Sequence, residues 1–310
     1  MKSFFAAMTL AVGSAPLVCA EPLVSQHVSA DAQWLVHIDV DAIKTGSVAR
    51  AVGALWLKLP GGAEHLRRAG AVVGLNPAED LRGITIYGRR YAEPAAVVVL
   101  RATVDRERLM AFLQGTPGFR TQPYGDHELV EWTANPGKKD EHTVTGSFHG
   151  PGVIVFGRDG DEVRKALDVL DGRSPGLGED DLLSPGNVAP GTMIQARAVD
   201  LAEVELPFKS PLVRKSKRFC VALGEHEGEA FAAATATTES TETAEQLRAV
   251  VEGLLAMAEL EFDSDEQVTR LLETVKVSSD GKTVRVEYRG PPGEVLELIG
   301  KAWTKQLRPK

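Results

Sequence analysis

Apolar residues along this chain fall into short alternating or continuous runs in some segments and into helical stripes in others. Runs of strand length lie at 34–40, 81–88, 95–103, 128–133, 143–149 and 153–157, and again at 193–199, 218–224, 230–238, 275–278 and 283–288. Stripes with a period near 3.6 predict helices at 106–114, 162–170, 243–260 and 293–306. In 243–260 the stripe is Leu247, Val250, Val251, Leu254 and Ala258; in 293–306 it is Val295, Leu296, Ile299, Ala302 and Trp303. Such stripes face a core. Further helical patterning at 47–59, with Ser47 as a cap and Val48, Val52, Leu55 and Leu59 on one side, and at 63–73 reads as an insert. Asn76-Pro77 reads as a cap followed by proline at the first helical position. Asp280-Gly281 between Val277 and Val284 predicts a hairpin turn.

The segment 171–191 breaks this patterning with Pro175, Pro185, Pro190 and many glycines, the composition of a link between units. On either side the order of elements repeats: an opening strand, a strand pair, a helix, further strands and a closing helix. The expected fold is α+β: two similar lobes at 21–170 and 192–310, each a mostly antiparallel sheet with helices packed on one face. The matching order suggests an internal duplication.

Val-Asp ends a strand three times, at Val40-Asp41, Val104-Asp105 and Val199-Asp200, each time before a helix-like stretch. Aspartate there suits an N-cap, where its carboxylate accepts a first-turn N–H and complements the helix dipole. Asp159 with Glu162 reads as a capping box.

The first twenty residues have another character. Lys2 is followed by the apolar run FFAAMTLAV, then Gly13, Ser14 and Pro16, and Val18-Cys19-Ala20 offers a cleavage site. This is the layout of a secretory signal peptide cleaved after Ala20, and the run is too short to span a bilayer. The expected product is secreted or periplasmic. Bulky Val18 and the placement of Pro16 argue against lipidation of Cys19. Cleavage would leave Cys220 as the single cysteine, so no intramolecular disulfide can form and stability must come from packing. The longest aliphatic stretch of the mature part, 95–100, has the length of a buried strand, and no transmembrane span is expected there.

The formal charge is −8, and loss of Lys2 makes it −9. An acidic chain is a poor nucleic-acid partner, because phosphate contacts need clustered basic side chains. Lys209, Arg214, Lys215, Lys217 and Arg218 form one basic cluster, read as the solvated approach to a strand. A protein or envelope partner is compatible with the rest.

Candidate chemistry is sparse. His37, Asp39 and Asp41 alternate along a strand and share a face, an arrangement able to offer ligands to a divalent cation. The simpler reading is the solvent side of a half-buried strand, with Trp34, Val36, Ile38 and Val40 turned inward. Ser147 and His149 also share a face, but no orienting acid is indicated and Gly146-Ser147-Phe148-His149-Gly150 is not a nucleophile elbow. Cys220, between Phe219 and Val221, reads as an inert thiol in an apolar strand. Glu179-Asp180-Asp181 lacks the spacing of a calcium loop. No phosphate-binding glycine loop, H-E-x-x-H or paired C-x-x-C occurs. Hence no catalytic, cofactor-binding or metal-ligating residue is assigned, and no cofactor is implied.

Gly74-Leu75-Asn76-Pro77, Asp80-Leu81 and Ile84-Thr85-Ile86-Tyr87-Gly88 resemble a signature of secreted bacterial proteins of unknown function. The opening Asp31-Ala32-Gln33-Trp34 and the closing VKVSSDGKTVRV at 275–286 are similar to theirs. The resemblance implies export and a repeated α+β lobe, and it carries no functional residues. The expected function is a non-enzymatic binding or structural component of the cell envelope or exterior. The rival readings are an exported hydrolase and a ligand sensor, each with a site in a cleft between lobes.

Overall fold

The computed structural model describes residues 23–48, 50, 76, 79–91, 93–178, 183, 189–201 and 216–295. The segment 1–20, most of the helical insert, Pro77, the acidic run, Lys209, Arg214, Lys215 and all but the start of the closing helix lie outside them.

The strands are β1 (Trp34–Asp39), β2 (Leu81–Gly88), β3 (Ala96–Ala102), β4 (Arg120–Tyr124), β5 (His127–Ala134), β6 (His142–Phe148), β7 (Val153–Gly157), β8 (Thr192–Val199), β9 (Ser216–His226), β10 (Glu229–Thr238), β11 (Lys276–Asp280) and β12 (Thr283–Gly290). The helices are α1 (Val40–Thr45), α2 (Arg106–Gln114), α3 (Gly160–Leu170), α4 (Thr241–Glu261) and α5 (Glu266–Thr274). Among the described residues these twelve strands form one antiparallel sheet, in the order β11-β12-β10-β9-β8-β1-β2-β3-β7-β6-β5-β4.

Where the patterning anticipates a sheet in each half, the structure has a single continuous one. The junction is β1 against β8, with Trp34 opposite Ala198 and Val36 opposite Ala196. Just beyond this ladder, Val199 N–H donates to the Gln33 carbonyl at 2.9 Å. Tyr91 adds a side-chain tie, its hydroxyl bonded to the Val199 carbonyl and lying 3.2 Å from the Gln33 carbonyl. Burial pushes the Tyr91 phenol up to about 12.

Helices lie on both faces of the sheet in the first half, which corrects the expectation of one face. Strand β3 shows why, since its residues alternate and both sets are apolar. Val97 and Val99 pack with Val163, Ala166 and Leu167 of α3, in a cluster that includes Leu35, Tyr87, Leu129 and Val155. Leu100 points the other way, toward Leu109 and Leu113 of α2. Residues directly opposite across a ladder share a face, so Trp34, Ala198, Phe219, Ala236 and Val284 form one row on the α2 side. A second cluster is built there by α4, through Ala244 and Leu247, on Ala236 and Val284.

The α4 stripe is buried only at its start. Leu247 and Val251 pack, whereas Val250 is 44% and Leu254 60% exposed. Two elements escaped the patterning. Strand β4 carries Pro123 and is exposed along most of its length, as an edge strand can be. Helix α5 is only nine residues long, with Val268, Leu271 and Leu272 as its apolar stripe, and Asp265 caps it by accepting from the Gln267 and Val268 N–H groups.

The start of 171–191 is pinned to the N-terminal segment. Ala30 N–H donates to the Pro175 carbonyl at 3.1 Å, Leu177 N–H to the Val28 carbonyl at 2.9 Å, and Leu177 is buried.

Candidate functional site

The His37–Asp39–Asp41 face is buried, the reverse of the sequence expectation. His37, Asp39 and Asp41 are each under 5% exposed, while Trp34, Val36 and Ile38 are half-buried. Burying such groups is tolerated because each is partnered. His37 Nδ1 lies 2.9 Å from the Thr85 hydroxyl. Asp39 caps α1, accepting from Ala42 N–H at 2.8 Å. Asp41 therefore is not the cap. The helix begins one residue earlier, at Val40, and Asp41 pairs with Lys44 at 3.1 Å and Arg82 at 3.3 Å. Asp105 does cap α2, through Arg108 N–H at 3.0 Å. Asp159 caps α3, but Glu162 does not complete a box and is held by Arg89 instead. Ser47 is no cap either; its own N–H donates to Glu225 of β9 at 2.7 Å.

Ser147 and His149 point their polar atoms at different partners. The Ser147 hydroxyl donates to the Glu128 carbonyl at 3.0 Å. Cys220 is half-buried rather than sealed in apolar surroundings, with Arg218 Nε at 3.2 Å and Arg197 Nη1 at 3.9 Å from its sulfur.

His149 belongs to a cluster that sequence reasoning missed. His127 opens β5, His149 follows β6, and Asp171 caps the C-terminus of α3. The Asp171 carboxylate receives three groups: His127 Nε2 at 2.8 Å, His149 Nε2 at 3.0 Å and Arg173 Nη2 at 2.7 Å. The imidazole centroids are 5.4 Å apart. The local fold explains the convergence. β5, β6 and β7 are neighbours, and a turn through Gly150 and Gly152, both with positive φ, returns the chain after His149. Gly172, at φ 72°, ends α3 in a left-handed turn and carries Arg173 back over Asp168. Asp168 accepts from Arg173 Nε at 3.0 Å and from the Tyr124 hydroxyl at 2.9 Å. Partial burial works against ionisation of Asp171. The His127 and His149 hydrogen bonds and the Arg173 charge outweigh it, holding the carboxyl below its usual range. The hydrogen bond to Asp168 pushes the Tyr124 phenol up.

Two hollows adjoin on the α2 face and share Phe156. One, of about 210 Å³, lies between α2 and the sheet and is lined by Leu100, Leu113, Val130, Trp132, Ile154 and Phe156 among others. The other, of about 490 Å³, is bordered by Trp34, Tyr91, His142 and Arg158, which give it a polar rim. No convergent set of titratable groups lines the first.

Among the described residues no helix is long and apolar enough to cross a membrane. No protein-family model matches the sequence, and no curated protein matches it either. The architecture is similar to that of TP0453, solved in several crystal forms. Form III superposes with a TM-score of 0.51 at 7% identity, covering 91% of this chain and 100% of that one. Form IV gives 0.49 at 7% identity and form I 0.45 at 8%, each over 91% of this chain and over 97% and 98% of theirs. The likeness to form III is one of fold alone: a mixed helix and strand protein built on a large antiparallel sheet.

Proposed function

We propose that this protein is an exported, non-enzymatic binding component of the cell envelope or exterior, and that it seats an apolar ligand group between α2 and the sheet. The observation that carries this reading is the cavity of about 210 Å³ walled by Leu100, Leu113, Ile154, Phe156 and their neighbours. Such a wall favours a hydrocarbon chain or an aromatic ring through the hydrophobic effect, and the Ser147 hydroxyl in its lining is engaged by the Glu128 carbonyl. The adjoining hollow supplies Arg158 and His142 at its border, where a polar end of the same ligand would sit.

Two related halves complete the reading. What supports them is the order of strands outward from the junction. β1, β2, β3, β7 and β6 run one way and β8, β9, β10, β12 and β11 the other. A helix follows the third strand on each side, α2 and α4. The pair β4–β5 is then an addition to the first half, and β5 is the strand that completes the cavity wall with Val130 and Trp132.

The hydrolase reading has less behind it. Among its residues, His37 and Asp39 are committed to Thr85 and to the α1 cap, Ser147 to a backbone carbonyl, and His149 to Asp171.

Titration with an apolar fluorescent probe, 1-anilinonaphthalene-8-sulfonate, and its displacement by decanoate tests the binding reading. Saturable binding abolished by Ile154→Trp, which fills the cavity, is expected. Leu254→Lys, on the exposed part of α4, should leave it unchanged. Binding that survives Ile154→Trp and disappears with Leu254→Lys would move the ligand to the helix surface and end this reading. Export is tested separately by N-terminal sequencing of the mature protein, which should begin at Glu21.

A further inference from the structure

We propose that His127, His149 and Asp171 form a divalent transition-metal site of the zinc type, independent of the apolar cavity. Their ligand atoms all lie within 4.8 Å of one another, and among the described residues they are the one such group of histidine, cysteine and acidic side chains. Two imidazoles and one carboxylate are a common donor set for zinc, and three protein ligands leave a coordination position open to water or a small ligand.

The geometry favours coordination over a simple hydrogen-bonded clamp in two respects. First, His127 at the start of β5 and His149 just after β6 present Nε2 to the two oxygens of one carboxylate, so their lone pairs converge on it once the protons leave. Zinc–ligand bonds of about 2.0–2.2 Å place tetrahedral ligand atoms roughly 3.4 Å apart. At present His127 Nε2 lies 2.8 Å from Oδ2 and His149 Nε2 3.0 Å from Oδ1, and exchanging these contacts for bonds to a shared metal is a side-chain adjustment. Second, Asp168 and Asp171 both stand at the C-terminus of α3, where the helix dipole adds negative potential and a cation is stabilising. Arg173 already answers part of that potential, bonded to both carboxylates. In the metal-bound form Asp171 ligates through Oδ1, which already faces His149, while His127 exchanges its contact with Oδ2 for the metal and Oδ2 stays on Arg173, which orients the carboxylate from behind.

The test is calorimetric titration of the full, untagged chain with zinc chloride. One equivalent should bind with micromolar or tighter affinity, and binding should weaken in acid because imidazole ligates only when neutral. His127→Ala and His149→Ala should each weaken it more than about tenfold. His142→Ala and His226→Ala, at histidines elsewhere on the sheet, should not. Arg173→Gln removes the group that orients the ligating carboxylate and should weaken binding by about tenfold without abolishing it. If the alanine variants fail to fold, cobalt(II) on the unaltered chain decides, since a low-coordinate nitrogen and oxygen site gives an intense visible absorption. No such band, no binding tighter than millimolar, or zinc affinity retained in the folded double variant would each overturn the proposal.

Discussion

Arg89 grips Glu162 through two of its guanidinium nitrogens, with Nε 2.8 Å from Oε2, and so fastens the end of β2 to the first turn of α3. A third nitrogen reaches Asp31 at 3.0 Å, and Asp31 also accepts from the Ser29 hydroxyl at 2.6 Å. Glu162 is 6% exposed and Arg89 25%. Most of the pair is therefore out of water, and removing one member strands the other. Glu162→Gln should cost about 2–4 kcal/mol in urea unfolding. Arg89→Lys keeps the charge but loses the planar fork, and should cost about half as much. Equal stability in all three proteins would show that the fork contributes nothing.

Glu225 of β9 closes a helix start that belongs to the other half. Its carboxylate accepts from Ser47 N–H at 2.7 Å, from the Ser47 hydroxyl at 3.1 Å and from Val48 N–H. Free first-turn N–H groups are what an N-cap satisfies, and here the cap arrives from a residue 178 positions away in sequence. Glu225→Ala should lower stability by about 1–2 kcal/mol. Amide exchange at Ser47 and Val48 should quicken while that in the β9–β10 ladder stays as it was. Unchanged exchange at those two amides would refute the cap.

Asp171 makes acid stability depend on its cluster. Its folded-state pKa lies below the ordinary carboxylate value, so the folded state binds its proton less readily than the unfolded chain does. Its contribution is full above the unfolded value near about 4 and is lost as pH falls through the lower folded value. In chelator-treated protein, Asp171→Asn should lower stability at neutral pH. It should also flatten the fall in stability below about pH 4. A variant whose acid limb matches the parent's would show that the carboxylate is not stabilised by its histidine and arginine partners.

The patterning was informative where a signal is local. The strand 81–88 and the helix 106–114 appear with the anticipated bounds as β2 and α2, because alternation, a capping aspartate and a following glycine all act within a few residues. The same patterning misjudged β1. Alternation says which residues share a face, and it does not say which face turns inward. His37 and Asp39 share theirs with Leu35, and α1 and Thr85 supply the partners that make burial tolerable.

The long-range relations had no local mark. β1 and β8 each read as the opening strand of a unit, and nothing in either distinguishes a sheet edge from a sheet centre. His127, His149 and Asp171 lie 22 and 44 positions apart in sequence. The register of β5, β6 and β7 and one glycine turn after α3 bring them together, and side-chain periodicity is blind to both. The apolar cavity was missed for a related reason. Its walls are ordinary core residues, and only the stand-off of α2 from the sheet makes a space of them.

The ladder between β1 and β8 has a consequence for the chain taken apart. Severed within 171–191, either half would present a bare strand along its inner margin, a row of backbone donors and acceptors ready to template a foreign strand. The outer margins are blunted by other means. β4 carries Pro123 and little burial, and β11 is five residues long with charged side chains at both ends. The intact molecule thus conceals its two most adhesive seams against one another, and a half made alone should close on a second copy of itself, β1 on β1 or β8 on β8.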